Sequence, residues 1–158
     1  MIKYMLPAAA VLVCSTSAAF ALEARVTKDT TSAPEKVWAS VGDFCGIADW
    51  HPAVEKCVAS TADGDEVRTL SLKGGGTIEE ELISRSDDDM SYSYKILTSP
   101  LPVASYESTI SVVPEGDGTS IVWVGTFDAK GASDEDAVKT ISGIYQAGVD
   151  GIAAATKN

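Results

Sequence analysis

At 158 residues, 45% hydrophobic and 22% charged, the chain is long enough to bury one good core, too short for two, and too apolar to be disordered. Its 23 acidic residues against 12 basic ones and a single histidine give a formal charge of −11. With no basic run anywhere, nucleic acid and anionic membrane surfaces are excluded as partners, because neutralising phosphates takes clustered Lys and Arg.

The first segment reads as an export signal. Lys3 supplies a positive start, Leu6–Val13 an apolar stretch, and Ala19-Phe20-Ala21 a small-x-small cleavage site, so residues 1–21 are taken as a signal peptide removed before Leu22. A membrane span is the poorer reading: Pro7, Ser15 and Ser17 interrupt a stretch shorter than the roughly 20 residues a span needs. A lipid anchor on Cys14 is disfavoured by Val13 before it, where that signal has Gly or Ala. Residues 22–158 then form one domain, periplasmic, without stable membrane insertion. Cleavage removes one base, Lys3, and no acid, which makes the mature chain more acidic still.

Glu23 to Thr30 alternates well enough for an opening strand. Ser32-Ala33-Pro34-Glu35 reads as a capping box with proline in the first turn, and Val37, Trp38, Val41 and Phe44 make one helical apolar face that Gly42 and Gly46 break into two short pieces. From Val54 the period changes to two. Turns at Asp63-Gly64, Gly74–Gly76, Asp87–Asp89, Ser99-Pro100 and Glu115–Gly118 separate six strands, seven with the first, and the short connections favour an antiparallel meander. Arg68, Leu70 and Leu72 share a face, as do Ile78, Glu80 and Leu82; Tyr92, Tyr94 and Ile96; Tyr106, Ser108, Ile110 and Val112; and Ile121, Trp123, Gly125 and Phe127. Ser133 then caps a long helix to about Ala155, with acids in its first turn and a stripe of Val138, Ile141, Tyr145, Val149 and Ile152. Gly143, Ala147, Gly148 and Gly151 are unusually small for a helix interior; they allow close packing against strands or leave room for something bound between helix and sheet.

Two cysteines remain after export, Cys45 and Cys57. An oxidising compartment lets them pair as a disulfide, the reading we favour, although two separate buried thiols fit the spacing too. Cys45, His51 and Cys57 match no standard zinc spacing, so no metal is assigned. Glu80 and Arg68 stand on inward faces, where an unpaired charge costs several kcal/mol, so either they pair or each meets something polar at a cavity mouth. Tyr92, Tyr94, Tyr106 and Tyr145 bring hydroxyls to the same interior, where they bond one another or a bound molecule. His51 has no evident orienting carboxylate, and the chain holds no Gly-x-Ser-x-Gly, phosphate loop, CxxC or His-Glu-x-x-His, so no catalytic residue and no cofactor is assigned.

Ser32 to Trp38, Asp49-Trp50-His51-Pro52, Val67-Arg68, Gly75 to Leu82, Pro100 to Val103 and Gly143-Ile144-Tyr145 occur in an order that resembles the START-like, birch-pollen-allergen superfamily, in its polyketide cyclase/dehydrase and lipid-transport branch. The resemblance implies an α+β helix-grip fold: a seven-stranded curved antiparallel sheet around a long C-terminal helix, with two short helices after the first strand. A signal peptide in front is similar to the exported bacterial members, some of which resemble an accessory protein of periplasmic methanol oxidation. The same segments look like the plant abscisic-acid receptors, whose gate and latch loops would fall on Lys73–Gly76 and Ser99–Pro102 and whose hormone contacts would include Glu80 and Tyr106; both loops depart from the receptor pattern. The resemblance therefore implies a pocket for a small hydrophobic or amphipathic molecule, walled by Trp50, His51, Arg68, Glu80, Tyr92, Tyr94, Tyr106, Trp123, Ile141 and Tyr145. Two further expectations differ in kind. One is an accessory role toward a periplasmic redox protein such as a dehydrogenase or cytochrome; the other is a cyclase or dehydratase in which Glu80 or His51 moves protons.

Overall fold

The computed structural model describes residues 21–157; the expected signal peptide lies outside them except for Ala21, and Cys14 lies outside them too. Strand β1 (Leu22–Thr30) leads into α1 (Pro34–Val41) and the single turn α2 (Ile47–Trp50). Six strands follow, β2 (Val54–Ala62), β3 (Asp65–Leu72), β4 (Thr77–Ser86), β5 (Ser91–Thr98), β6 (Val103–Glu115) and β7 (Gly118–Ala129), and α3 (Asp134–Ala155) ends the domain. The strands form one antiparallel sheet in the order β1-β7-β6-β5-β4-β3-β2, so β1 closes onto the last strand and every other neighbour is a hairpin partner. This is the expected α+β helix-grip arrangement.

Sequence chemistry accounts for the element ends. Ser133 accepts a hydrogen bond from the Asp136 amide and caps α3, whose first turn carries Asp134, Glu135 and Asp136 at the positive end of the helix dipole. The expected capping box at Ser32 does not form. Ala33 is the N-cap of α1 with no side-chain cap bond, Pro34 takes the first helical position, and the Ser32 hydroxyl turns instead to the Thr156 carbonyl. One residue of offset moves Glu35 out of the reciprocal position, and proline supplies the helical start by itself.

Strict alternation is interrupted where the sheet bends. In β6 the register shifts between Ala104 and Glu107, with Ser105 in the left-handed region at φ 51°, so Val103 and Tyr106 both face inward although three positions apart. Two other shifts leave Leu97 and Ile83 as the unpaired extra residues of β5 and β4, and both are exposed apolar side chains. Helix α3 lies across β1 and β7, burying Ala137, Ile141, Tyr145, Gly148, Val149, Ile152 and Ala153. Gly148 and Gly151 answer to close packing: a Cβ on Gly148 would run into the Trp123 ring, and one on Gly151 into the Trp50 carbonyl. Gly143 is exposed, with open space where its side chain would be.

Candidate functional site

Between the inner face of the sheet and α3 lies a cavity of about 90 Å³. Its walls come from the α2–β2 segment (Ile47, His51, Ala53, Val54), the inward positions of β3 to β5 (Leu70, Leu72, Ile78, Glu80, Tyr94, Ile96), Leu101, Tyr106, Trp123, and Ile141 and Ile144 of α3. Leu72, Ile96, Leu101 and Ile144 are only half-buried and form the side toward solvent. The surface is overwhelmingly apolar, with Glu80 the one charged side chain on it among the described residues.

Glu80 and Arg68 are cross-strand partners in the β3–β4 register, and their side chains pair, Arg68 Nε donating to Glu80 Oε2 at 2.6 Å. Arg68 is 0% exposed, with a second N–H on the Phe44 carbonyl and its guanidinium carbon 3.9 Å from the Phe44 ring centre. Burial pushes the Glu80 carboxyl up, opposed by the adjacent guanidinium. Burial works against the Arg68 cation as well, but Glu80 and the neighbouring phenols outweigh it and raise its affinity for the proton. An always-charged guanidinium whose only carboxylate partner within ion-pair reach among the described residues is Glu80 keeps that carboxyl ionised.

Beside the pair runs a line of hydroxyls. Tyr94 and Tyr106 are 3.2 Å apart, Tyr106 and Tyr145 2.6 Å, and Tyr145 donates to Ser108 at 3.0 Å. Ser108 also receives the Trp123 indole N–H at 2.8 Å and donates to the Val124 carbonyl at 2.9 Å. Trp123 and Tyr145 stack with ring centres 4.6 Å apart. Burial lifts the phenols of Tyr94 and Tyr106 well above their ordinary value and that of Tyr145 to about 12, so all three stay neutral.

His51 lines the same cavity, but its ring nitrogens are turned to main chain. Nε2 lies 3.1 Å from the Ile144 carbonyl, which can only accept, so it carries the hydrogen; Nδ1 accepts from the Ala53 amide at 3.2 Å. Burial lowers its pKa and holds it neutral. The consequence for stability has a definite sign. The unfolded chain protonates histidine first, so this contribution is present above about pH 6.5 and is lost as pH falls through the lower folded value. Thermal melts should show the wild-type midpoint falling from pH 7 toward pH 5 more steeply than that of His51→Gln. Glu80, shifted upward, acts in the opposite direction but is common to both proteins. Asp87 and Asp150, held low by Arg85 and Lys28, enter only at greater acidity.

Of the ten residues singled out from the sequence, His51, Glu80, Tyr94, Tyr106, Trp123 and Ile141 reach the cavity wall. The other four stand behind it: Arg68 and Tyr145 hold Glu80 and Tyr106, Trp50 packs edge-on against Trp123, and Tyr92 packs against Phe44 and Tyr94. The wall also includes Ile47, Ala53, Val54, Leu101 and Ile144. Of these, Ile144 is one position off the apolar stripe read from the sequence, and Leu101 lies in a connection with no periodicity to betray it. Cys45 and Cys57 are disulfide-bonded with Cα atoms 5.5 Å apart, tying the α1–α2 connection to β2. Among the described residues no group of three or more His, Cys, Asp or Glu is placed to hold a metal ion, and no helix is long and apolar enough to cross a membrane.

The family described as "Polyketide cyclase / dehydrase and lipid transport" matches residues 21–157. Among solved structures, the protein XoxI from Bacillus cereus is 32% identical, with a TM-score of 0.78 over 87% of this chain and 96% of that one. An uncharacterised protein from Bacillus thuringiensis is 31% identical, with a TM-score of 0.78 over 86% of this chain and 99% of its own. A Thermobifida fusca protein at 24% identity shares the fold, with a TM-score of 0.73 over 83% of this chain and 90% of that one. No curated protein matches.

Proposed function

The chain belongs to the polyketide cyclase/dehydrase and lipid transport family, and from that premise we propose that it is an exported, periplasmic binding protein enclosing a small hydrophobic or amphipathic molecule between its sheet and α3. The observation that carries this reading is the apolar cavity into which one carboxylate and two phenols converge, since apolar walls with a few placed polar groups are how proteins hold small molecules. The disulfide supports the location, because such bonds persist in oxidising compartments.

The volume limits the occupant. At about 90 Å³ the cavity is smaller than one of about 150 Å³ that takes up benzene, so it suits a molecule of a handful of non-hydrogen atoms and not a lipid chain. Binding is favoured over proton-transfer chemistry by the state of the two groups that would do that work. The His51 lone pair is occupied by the Ala53 amide, and Glu80 is tied to Arg68.

The test is native mass spectrometry of protein recovered from a bacterial periplasm, compared with the same sample after unfolding and refolding. An excess mass present only before unfolding is expected, together with shifted methyl signals from Ile47, Ile78, Ile96, Ile141 and Ile144, all of which face the cavity. A bare-chain mass with superimposable methyl spectra would count against a carried ligand.

A further inference from the structure

The hydrogen-bond directions around the cavity can be worked out one hydrogen at a time, and they restrict what can bind there. Ser108 has one hydrogen, and it goes to the Val124 carbonyl. Its oxygen is filled by the Trp123 indole and the Tyr145 hydroxyl, so Tyr145 is a donor there and has no hydrogen left. The 2.6 Å contact between Tyr106 and Tyr145 must then be donated by Tyr106. With that hydrogen used, the contact between Tyr94 and Tyr106 must be donated by Tyr94. The hydroxyls therefore point one way, Tyr94 to Tyr106 to Tyr145 to Ser108 to Val124, away from the cavity side.

The remaining polar side chains on the wall agree. His51 spends its hydrogen on Ile144, and the Trp123 indole spends its own on Ser108. Arg68 is not on the wall; its Nη2 and the Tyr92 hydroxyl are the two buried side-chain atoms without a partner among the described residues, and neither residue lines the cavity. Glu80 engages Arg68 through Oε2, which leaves Oε1 with no protein donor among the described residues. Every polar side chain on the wall thus has oxygen lone pairs to offer or nothing.

We infer that the cavity selects a small, mainly apolar molecule carrying a hydrogen-bond donor, a hydroxyl or a neutral N–H group, which donates to Glu80 Oε1, and that it rejects carboxylates and molecules with only acceptor groups. This rests on the enclosure reading above and deepens it. A carboxylate entering here meets another carboxylate and no free donor, and a lone carbonyl gives up its water without a replacement. A donor gives Glu80 Oε1 the partner it lacks, and the Arg68–Glu80 pair is already neutral and so asks for no second cation.

The test uses four probes of similar size, n-butanol, n-pentane, butanal and butyrate, each titrated into protein labelled at the isoleucine methyls. The result expected is cavity methyl shifts with n-butanol at an affinity about tenfold above n-pentane and butanal, as one hydrogen bond to a charged group implies, and none with butyrate. In the double variant Arg68→Met/Glu80→Leu that preference should vanish while n-pentane still binds. Equal binding of n-butanol, n-pentane and butanal, tighter binding of butanal or butyrate, or an alcohol preference that survives the double variant would overturn the assignment and leave the enclosure reading standing. If none of the four moves the methyls, both fall together.

Discussion

Replacing Glu80 by leucine should lower stability by about 3–5 kcal/mol in urea denaturation, because it strands the Arg68 guanidinium in the interior. Arg68 keeps its bond to the Phe44 carbonyl and its place over the Phe44 and Tyr94 rings, at 3.9 and 5.0 Å, but neither supplies a counter-charge. For a domain of this size the melting temperature should fall by on the order of 10 °C or more. The double variant Arg68→Met/Glu80→Leu separates loss of charge balance from loss of packing. Two apolar side chains of similar volume carry no desolvation cost, so most of the lost stability should return and the double variant should end within about 1 kcal/mol of the wild type. If single and double variants lose equally, the pair matters for its shape and not for its charges. The same pair decides the ligand preference inferred above, so this measurement also says whether the double variant is a fair test of it.

Cutting the disulfide is the second large effect. In Cys45→Ser/Cys57→Ser the unfolded chain regains the freedom of a loop whose ends are 12 residues apart, which corresponds to about 3 kcal/mol on the chain-entropy account. The fold itself should survive, since Val37, Val41, Phe44 and Trp50 remain buried around the tied segment. The local consequence is sharper. Residues between the two cysteines supply Ile47, His51, Ala53 and Val54 to the cavity wall, so hydrogen exchange should accelerate there before it does in β6, β7 or α3. Uniform acceleration across the sheet would mean that the bond stabilises the fold as a whole and does not hold that wall in particular.

Much of this architecture is legible before any coordinates. Strand and helix periods are local properties of the backbone, so the alternation in Tyr92-Ser93-Tyr94 and the stripe Ile141, Tyr145, Val149, Ile152 identify their elements and inward faces without knowledge of their partners. Turn chemistry works likewise: Asp63, Gly64 and Gly74–Gly76 all adopt the positive φ that glycine and aspartate tolerate, and the hairpins follow. Where a second device intervened, local reading missed by a residue. Proline at the start of α1 displaced the box expected at Ser32.

What the sequence by itself determined, then, was the order of elements, the inward faces, the cysteines free to pair and the polar residues that needed partners. Which partners they took was decided only by tertiary structure. Arg68 and Glu80 lie 12 residues apart and face each other through strand register, and Tyr106 meets Tyr145 across 39 residues because α3 crosses the sheet at Trp123. Hydrogen-bond direction is more remote still. Each hydroxyl has one hydrogen to give, so the polarity of the cavity wall is fixed at Ser108 and the Val124 carbonyl, the far end of the chain from the cavity, and no local pattern carries that information.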